Sequence, residues 1–326
     1  MNDQTHPLKT DSLALAGEAL APFTDPSTTA KGEPRARVSL TALETLWFNT
    51  GTLCNIECAS CYIESSPKND RLVYLTAVDV ASYLDEIERD NLGTREIGFT
   101  GGEPFMNPAM NAILEDTLDR GFDALVLTNA MQPLLRPSVK DGITRLVSTY
   151  GAKLTFRVSL DHYSIKLHDK ERGPGAFAKA MEGLAFLSSL DAQITIAGRT
   201  CWDEEETSSR AGYAALFADQ GLSIDADDPL ALTLFPEMDE AIDVPEITTA
   251  CWSILNVNPN DMMCATSRMV VKHKGADGPS VAACTLLPYD PQFDLGGTLA
   301  DASRDVALNH RHCAKFCVLG GGSCAA

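Results

Sequence analysis

Cysteines are the residues of this 326-residue sequence whose spacing points most directly to chemistry. Three of the ten cysteines, Cys54, Cys58 and Cys61, have the spacing C-x3-C-x2-C, so their thiolates can converge on one metal centre. Soft sulfur ligands select iron–sulfur clusters, zinc or copper. Structural zinc normally takes four ligands, and no histidine or fourth cysteine lies near these three. The spacing therefore favours an iron–sulfur cluster with one open iron, with zinc or buried thiols as alternatives.

Short apolar runs rich in β-forming residues alternate along the chain with amphipathic helical runs. The six predicted strands cover residues 45–49, 96–100, 124–128, 154–159, 193–197 and 231–235. The predicted helices cover residues 77–92, 108–120, 138–150, 176–190 and 204–220. This alternation indicates a parallel sheet, either open and doubly wound or closed into a partial barrel. In both, ligands bind at the carboxyl ends of the strands, where the cysteine triplet lies. Thr76 with Asp79 predicts a capping box at the start of the first helix.

A second motif, TGGEP at residues 100–104, follows the second predicted strand. Consecutive glycines allow a close approach of the backbone to a ligand, and a carboxylate beside them can accept a hydrogen bond from an ammonium group. With the cysteine triplet after the preceding strand, the motif resembles the radical SAM superfamily over about residues 46–235. The resemblance implies a partial (β/α)6 TIM-like barrel. It also implies that Cys54, Cys58 and Cys61 hold a [4Fe-4S] cluster whose open iron binds S-adenosylmethionine.

The resemblance further implies contacts to S-adenosylmethionine at several strand ends. Gly101, Gly102 and Glu103 would receive its amino group, and Pro104 would shape the turn. The other implied contacts follow the later strands: Asn129, Ser159, Asp161 and Arg199. Helix capping is the alternative for Ser159 and Asp161, and pairing with the acidic run at residues 203–206 is the alternative for Arg199.

The residue before the third cysteine departs from the family pattern. The family usually has an aromatic residue there, against the adenine ring, whereas this chain has Ser60, with Tyr62 on the other side of Cys61. Whether Ser60 or Tyr62 contacts adenine is left open.

Radical SAM chemistry, as implied by the resemblance, begins with reductive cleavage of S-adenosylmethionine to a 5′-deoxyadenosyl radical. The radical abstracts hydrogen from a small-molecule or peptide substrate, leading to oxidation, cross-linking or rearrangement. The implied electron donor is a flavodoxin or ferredoxin. Residues 1–40 are too short for an added peptide-recognition domain, which favours a small substrate. The alternatives are a non-catalytic iron–sulfur or zinc protein and a radical SAM enzyme that modifies RNA.

The tail after residue 240 has little apolar periodicity but holds six further cysteines. Its predicted hairpin, residues 267–274 and 280–283, and its cysteine spacing resemble the SPASM and twitch domains that follow many radical SAM barrels. The resemblance implies an auxiliary [4Fe-4S] cluster, and six thiolates favour one fully ligated cluster over two. The candidate ligands, in order of preference, are Cys264, Cys284, Cys324, Cys317, Cys313 and Cys251.

Composition limits the partners and the compartment. The 44% hydrophobic and 22% charged content is that of a globular protein, and no apolar run is long enough to span a membrane. A net charge of −19 disfavours nucleic acid as a partner. Many cysteines without an export signal predict a reducing, cytoplasmic location. The predicted divisions are an N-terminal, mobile or loosely docked extension at residues 1–40, a barrel at 41–240 and a cysteine-rich domain at 241–326.

Overall fold

The computed structural model describes residues 21–236 and 243–320. Eight of its ten strands, β2 to β9, form one sheet with the spatial order β7-β6-β5-β4-β3-β2-β8-β9. Every neighbouring pair from β7 to β8 is parallel, and β8 and β9 form an antiparallel hairpin. The strands are β1 (Arg37–Val38), β2 (Thr45–Asn49), β3 (Glu96–Thr100), β4 (Asp123–Thr128), β5 (Leu154–Ser159), β6 (Gln193–Arg199), β7 (Leu232–Phe235), β8 (Ser267–Val271), β9 (Ser280–Ala282) and β10 (Val306–Ala307).

Helices connect each parallel strand from β2 to β7 with the next, which confirms the predicted partial (β/α)6 barrel. The helices are α1 (Ala77–Asp90), α2 (Met110–Asp119), α3 (Pro137–Tyr150), α4 (Ile165–Arg172), α5 (Ala176–Ser189), α6 (Glu206–Asp219) and α7 (Cys251–Leu255). The predicted capping box forms at α1, where Thr76 Oγ1 accepts from the amide of Asp79 and Asp79 accepts from the amide of Thr76. Among the described residues, no helix is long and apolar enough to cross a membrane.

The sheet is covered on both faces, so its strands appear in the sequence as short apolar runs. All five residues of β2 are buried. Phe48 stacks on Phe99 at 5.9 Å on one face, while Trp47 packs with Leu125 and other apolar side chains on the other face. Gly98 in β3 leaves room for the indole, because a Cβ there would lie 2.4 Å from the Trp47 ring.

The tail hairpin does not stand apart from the barrel. Its first strand, β8, pairs in parallel with β2, with Thr45 opposite Ser267 and Phe48 opposite Val270. The two predicted strands are present, but the hairpin extends the barrel sheet by two strands. Long-range pairing of this kind leaves no mark on local periodicity, so the sequence did not predict it.

The N-terminal segment from residue 21 packs against the tail. Ala36 and Val38 are buried, and β1 pairs antiparallel with β10. Arg35 forms a buried ion pair with Glu246. A mobile or loosely docked extension therefore does not describe residues 21–38, and the rest of the predicted extension before them lies outside the described residues.

Candidate active site

The carboxyl ends of the parallel strands surround one open cavity of about 210 Å³. The loop after β2, residues 50–66 and here called the cysteine loop, places Cys54, Cys58 and Cys61 on the cavity wall. Burial raises the pKa of the Cys54 thiol to about 12 and that of Cys58 to about 11, so both thiols need a bound metal to stay deprotonated at neutral pH. The structure thus brings the three predicted cluster ligands to one site.

The glycine pair of the second motif lets the loop after β3 pack directly on the cysteine loop. The amide of Gly102 donates to the carbonyl of Gly51 at 2.8 Å, and the amide of Glu103 donates to that of Leu53 at 3.2 Å. A Cβ on Gly102 would lie 2.2 Å from the Leu53 oxygen, and one on Gly101 would lie 2.5 Å from the Gly51 oxygen. Both glycines line the cavity as well, so they serve loop packing and ligand access together.

Glu103 is buried behind the cavity, and the described wall residues do not include it. Its Oε1 accepts from Thr128 Oγ1 at 2.8 Å and from the amide of Phe105, and its Oε2 accepts from the amide of Asn129 at 2.8 Å. Burial raises the pKa of Glu103 to about 7, against these hydrogen bonds, which favour the charged form. The carboxylate, which follows β3, therefore connects the end of that strand to the end of β4 through its hydrogen bonds with Thr128 and Asn129. Pro104, also behind the wall, begins the short 3-10 turn Pro104–Met106.

Asn129 and Ser159 lie at the ends of β4 and β5 and line the cavity. The Asn129 amide nitrogen donates to Asn55 Oδ1 at 2.9 Å and lies 3.8 Å from Cys54 Sγ. Asn129 therefore supports the cysteine loop from the neighbouring strand, besides presenting a polar group to the cavity.

A buried ion pair joins Asp161, after β5, to Arg172, the last residue of α4, and both line the cavity. Arg172 bonds through Nε and Nη2 to the two carboxylate oxygens, with the Nη2–Oδ1 distance at 3.0 Å. Burial would raise the pKa of Asp161, but the Arg172 guanidinium outweighs it and holds the pKa below its ordinary value. Sequence reasoning missed Arg172, because α4 was not predicted.

Arg199, at the end of β6, lines the cavity within a network here called the Ser60 network: Ser60, Glu171 and Arg199. Glu171 Oε1 accepts from the Ser60 amide at 2.9 Å and from Arg199 Nη1 at 2.9 Å, and the Ser60 hydroxyl bonds to both partners. Among the described residues, the ion-pair partner of Arg199 is Glu171 and not the acidic run at 203–206. Tyr62 also reaches the cavity wall and is 37% exposed.

Apolar side chains from the barrel and the tail complete the wall. Phe235 ends β7 and Pro236 follows it, and Leu286 and Phe316 come from the tail. The rings of Phe235 and Phe316 stack at 6.0 Å. The tail therefore closes one side of the cavity, a contribution that sequence reasoning missed because the tail has no periodic apolar pattern.

A second, smaller cavity lies within the tail and is here called the tail cavity. Its wall includes Cys264, Cys284, Cys313 and Cys317, with His312 beside them. Burial raises the pKa of the Cys264 thiol to about 11. It also raises the pKa of Cys313 well above its ordinary value, and the neighbouring thiols of Cys284 and Cys264 add to this effect. The structure therefore groups Cys313 with the preferred candidates, although the sequence placed it lower in order.

The other two tail candidates lie elsewhere. Cys251 does not line the described part of the tail cavity, and its sulfur lies 3.4 Å from the amide of Thr248. Cys324 lies outside the described residues. No two of the nine described cysteines are joined to each other by a disulfide bond. Within residues 21–236 and 243–320, no three His, Cys, Asp or Glu side chains are arranged as ligands of one metal ion, so the cysteines of each cavity share a wall without converging on a single point.

Comparison with known proteins shows which family the barrel is similar to. Residues 48–198 match the sequence profile described as Radical SAM superfamily. This stretch contains the cysteine loop and the strands β3 to β5 with their rim residues. Over residues 48–198 the chain is therefore similar to the radical SAM superfamily, in agreement with the resemblance of its two motifs.

Two curated relatives share this region. The antilisterial bacteriocin subtilosin biosynthesis protein AlbA of Bacillus subtilis (strain 168) is 33% identical over 145 residues, 44% of this chain and 30% of AlbA. The mycofactocin maturase MftC of Mycobacterium ulcerans (strain Agy99) is 29% identical over 146 residues, 44% of this chain and 37% of MftC. The match thus spans about a third of the length of each relative.

The fold similarity extends beyond the region of sequence similarity. A structure described as native anSMEcpe with bound AdoMet superposes with a TM-score of 0.57 at 12% identity, covering 83% of this chain and 82% of that one. The fold therefore reaches past residue 198 into the tail.

Proposed function

We propose that the chain is a radical SAM enzyme whose cysteine loop binds a [4Fe-4S] cluster through Cys54, Cys58 and Cys61. The observation that carries this proposal is the single cavity shared by the three thiols and the strand-end residues. Three soft donors suit a cluster that keeps one iron for an external ligand. When bound, the cluster and S-adenosylmethionine supply a 5′-deoxyadenosyl radical that abstracts hydrogen from the substrate.

The chain's own residues bind and orient S-adenosylmethionine at this cavity. Gly101 and Gly102 present backbone groups, and the side chains that line the same wall are Asn129, Ser159, Asp161 and Arg199. Arg172 joins this set, because it reaches the wall and fixes the Asp161 carboxylate. Glu103 acts from behind the wall by holding Thr128 and Asn129, and its charge favours an ammonium group nearby.

The apolar wall excludes water from the remaining part of the cavity. Phe235, Leu286 and Phe316 present carbon surface beside the cysteine loop. Radical intermediates need such protection, because water and other groups would divert them to side reactions. This side of the cavity is where we place the substrate.

The tail binds an auxiliary [4Fe-4S] cluster, in the manner of SPASM and twitch domains. Its ligands are Cys264, Cys284, Cys313 and Cys317, which line one cavity and are sufficient for full ligation. Cys324 is retained as a candidate. Cys251 is set aside, because its sulfur contacts Thr248 away from that cavity.

A peptide is the favoured substrate. Two relatives of the barrel are a bacteriocin biosynthesis protein and a maturase, and a bacteriocin is a peptide product. Nucleic acid is disfavoured by the charge of −19. We propose a flavodoxin or ferredoxin as the electron donor. The proposed location is the cytoplasm, because its reducing conditions keep thiols available as ligands.

Formation of 5′-deoxyadenosine from S-adenosylmethionine tests the proposal. Anaerobically reconstituted, dithionite-reduced protein should form it, and the Cys58→Ala variant should lose this activity. Cys251→Ser is the matched control, because it changes a cysteine outside both cavities and should keep the activity. Protein that assembles a cluster but neither forms 5′-deoxyadenosine nor binds S-adenosylmethionine would instead be a non-catalytic iron–sulfur protein.

A further inference from the structure

Arg268, in β8, is a buried cation beside the tail cavity. The residue is 1% exposed. Within the part of the chain that the structure describes, its guanidinium donates to main-chain carbonyls and to no side chain. Nε donates to Ala302 at 2.8 Å, and Nη1 donates to Cys264 at 2.6 Å and to Ser267 at 2.8 Å. Nη2 donates to the carbonyl of Arg304 at 3.3 Å. None of the carboxylates that the structure describes forms an ion pair with it.

An isolated buried charge is costly, so this arrangement requires a reason. Moving an ion out of water is strongly unfavourable unless an opposite charge and hydrogen bonds compensate the lost hydration. Carbonyl dipoles satisfy the N–H groups of Arg268, but they supply no net negative charge. The 2.6 Å bond from Nη1 to the Cys264 carbonyl places this charge beside one of the cysteines that line the tail cavity.

We propose that Arg268 is the counter-charge of the auxiliary cluster, a positioning residue that stabilises the cluster in the tail and raises its reduction potential. This inference rests on the proposed binding of that cluster by Cys264, Cys284, Cys313 and Cys317. A [4Fe-4S] core with four thiolate ligands carries net negative charge, and one-electron reduction makes it more negative. A fixed cation therefore favours the reduced cluster over the oxidised one.

The geometry explains why the cation is an arginine. Its planar fork bonds to carbonyls on three sides, which fixes the charge next to the segment that carries Cys264. Lysine has a single compact ammonium group and cannot bond to all of these carbonyls. A leucine or methionine would fill the space without a charge. The presence of a buried cation at this position is thus explained by the negative charge that the cluster would bring.

The test uses the full chain with Cys54, Cys58 and Cys61 all changed to Ala, so that only the tail can take up iron. Three further variants are compared on this background: Arg268→Met removes the charge, Arg268→Lys keeps it without the fork, and Arg304→Met makes the same change at an exposed arginine of the tail. The readouts are iron per chain, the midpoint potential in a dithionite titration followed by electron paramagnetic resonance, and the stability gained on reconstitution.

Arg268→Met should shift the midpoint potential to more negative values and reduce the stability gained when iron is bound. Arg268→Lys should give a smaller shift, and Arg304→Met should leave the potential unchanged, because solvent screens an exposed charge. If Arg268→Met takes up no cluster, Arg268→Lys decides the question: restored iron binding supports the role of the charge, and its failure overturns it.

Two outcomes contradict the inference. If the role of Arg268 is merely structural, Arg268→Met would lower the stability of the iron-free and iron-loaded proteins equally and leave the midpoint potential unchanged. If the chain without the first three cysteines takes up no iron, the auxiliary cluster and the role of Arg268 both fail. The radical SAM activity is judged separately, by 5′-deoxyadenosine formation with the unchanged cysteine loop.

Discussion

At the scale of single residues, Glu103 shows how a motif residue can act from behind a site. Its carboxylate accepts three hydrogen bonds, from Thr128, Asn129 and Phe105. In Glu103→Gln an amide NH2 replaces one acceptor oxygen and faces a donor. We expect the free energy of unfolding to fall by about 1–3 kcal/mol. S-adenosylmethionine should bind about tenfold more weakly, equivalent to ~1.4 kcal/mol. Urea unfolding and equilibrium dialysis measure the two effects.

The control for Glu103→Gln is Glu182→Gln, the same chemical change at an exposed position of α5. This variant should retain wild-type stability and binding. If Glu103→Gln also matched the wild type in both measurements, the assigned role of the buried carboxylate would be wrong.

The glycine pair makes a steric prediction at the same scale. Gly102→Ala places a Cβ 2.2 Å from the Leu53 oxygen, so the cysteine loop must move away from the loop after β3. We expect a loss of about 1–3 kcal/mol in stability and less iron retained per chain after reconstitution. Gly297→Ala is the matched control, because a Cβ there meets nothing within 4 Å. Equal iron contents in the two variants would contradict the packing argument.

At the scale of elements, α4 holds the cysteine loop from outside the sheet. Glu171, in its last turn, accepts from the Ser60 amide and from Arg199. In Glu171→Ala these donors lose their partner, and the Ser60 amide should exchange with deuterium about tenfold faster, equivalent to ~1.4 kcal/mol. Hydrogen–deuterium exchange of the iron-free protein measures this. Lys170→Ala changes an exposed neighbour on the same helix and should leave deuterium exchange at Ser60 unaltered. Similar exchange rates at Ser60 in both variants would show that Glu171 does not hold the cysteine loop.

Elements with a continuous or periodic apolar pattern were predictable from the sequence, and the others were not. The strands β2 and β3 were predicted with their observed bounds, because both are buried on two faces. The helix α4 buries only His168 among its eight residues, so it shows no apolar face. Glu171 and Arg172 were missed with it. The grouping of Cys313 with Cys264 depends on the long-range folding of the tail, which local patterns do not encode.

At the scale of the whole molecule, Glu246 joins the first described residues to the tail. Its carboxylate accepts from the amides of Phe23 and Ala30, both at 2.7 Å, and from the buried guanidinium of Arg35. Burial would raise the pKa of Glu246, but these hydrogen bonds and the Arg35 charge outweigh it, so the pKa lies below its ordinary value. The carboxylate therefore favours folding in its charged form.

The lowered pKa of Glu246 gives the fold a pH dependence with a definite sign. In the unfolded chain a glutamate titrates near ~4.3, and in the folded chain Glu246 titrates lower. Its stabilising contribution is complete above the unfolded value and is lost as the pH falls through the folded value. Glu246→Gln should therefore be less stable than the wild type at pH ~7 and should lose less stability on acidification. Urea unfolding of the iron-free protein from neutral to acid pH measures this difference.

The control is Glu115→Gln, which removes a carboxylate from a surface ion pair with Arg145. This variant should follow the wild-type pH profile closely, since exposed pairs contribute little. If Glu246→Gln and the wild type lost stability in parallel on acidification, the ion pair with Arg35 would not be what holds the N-terminal segment against the tail.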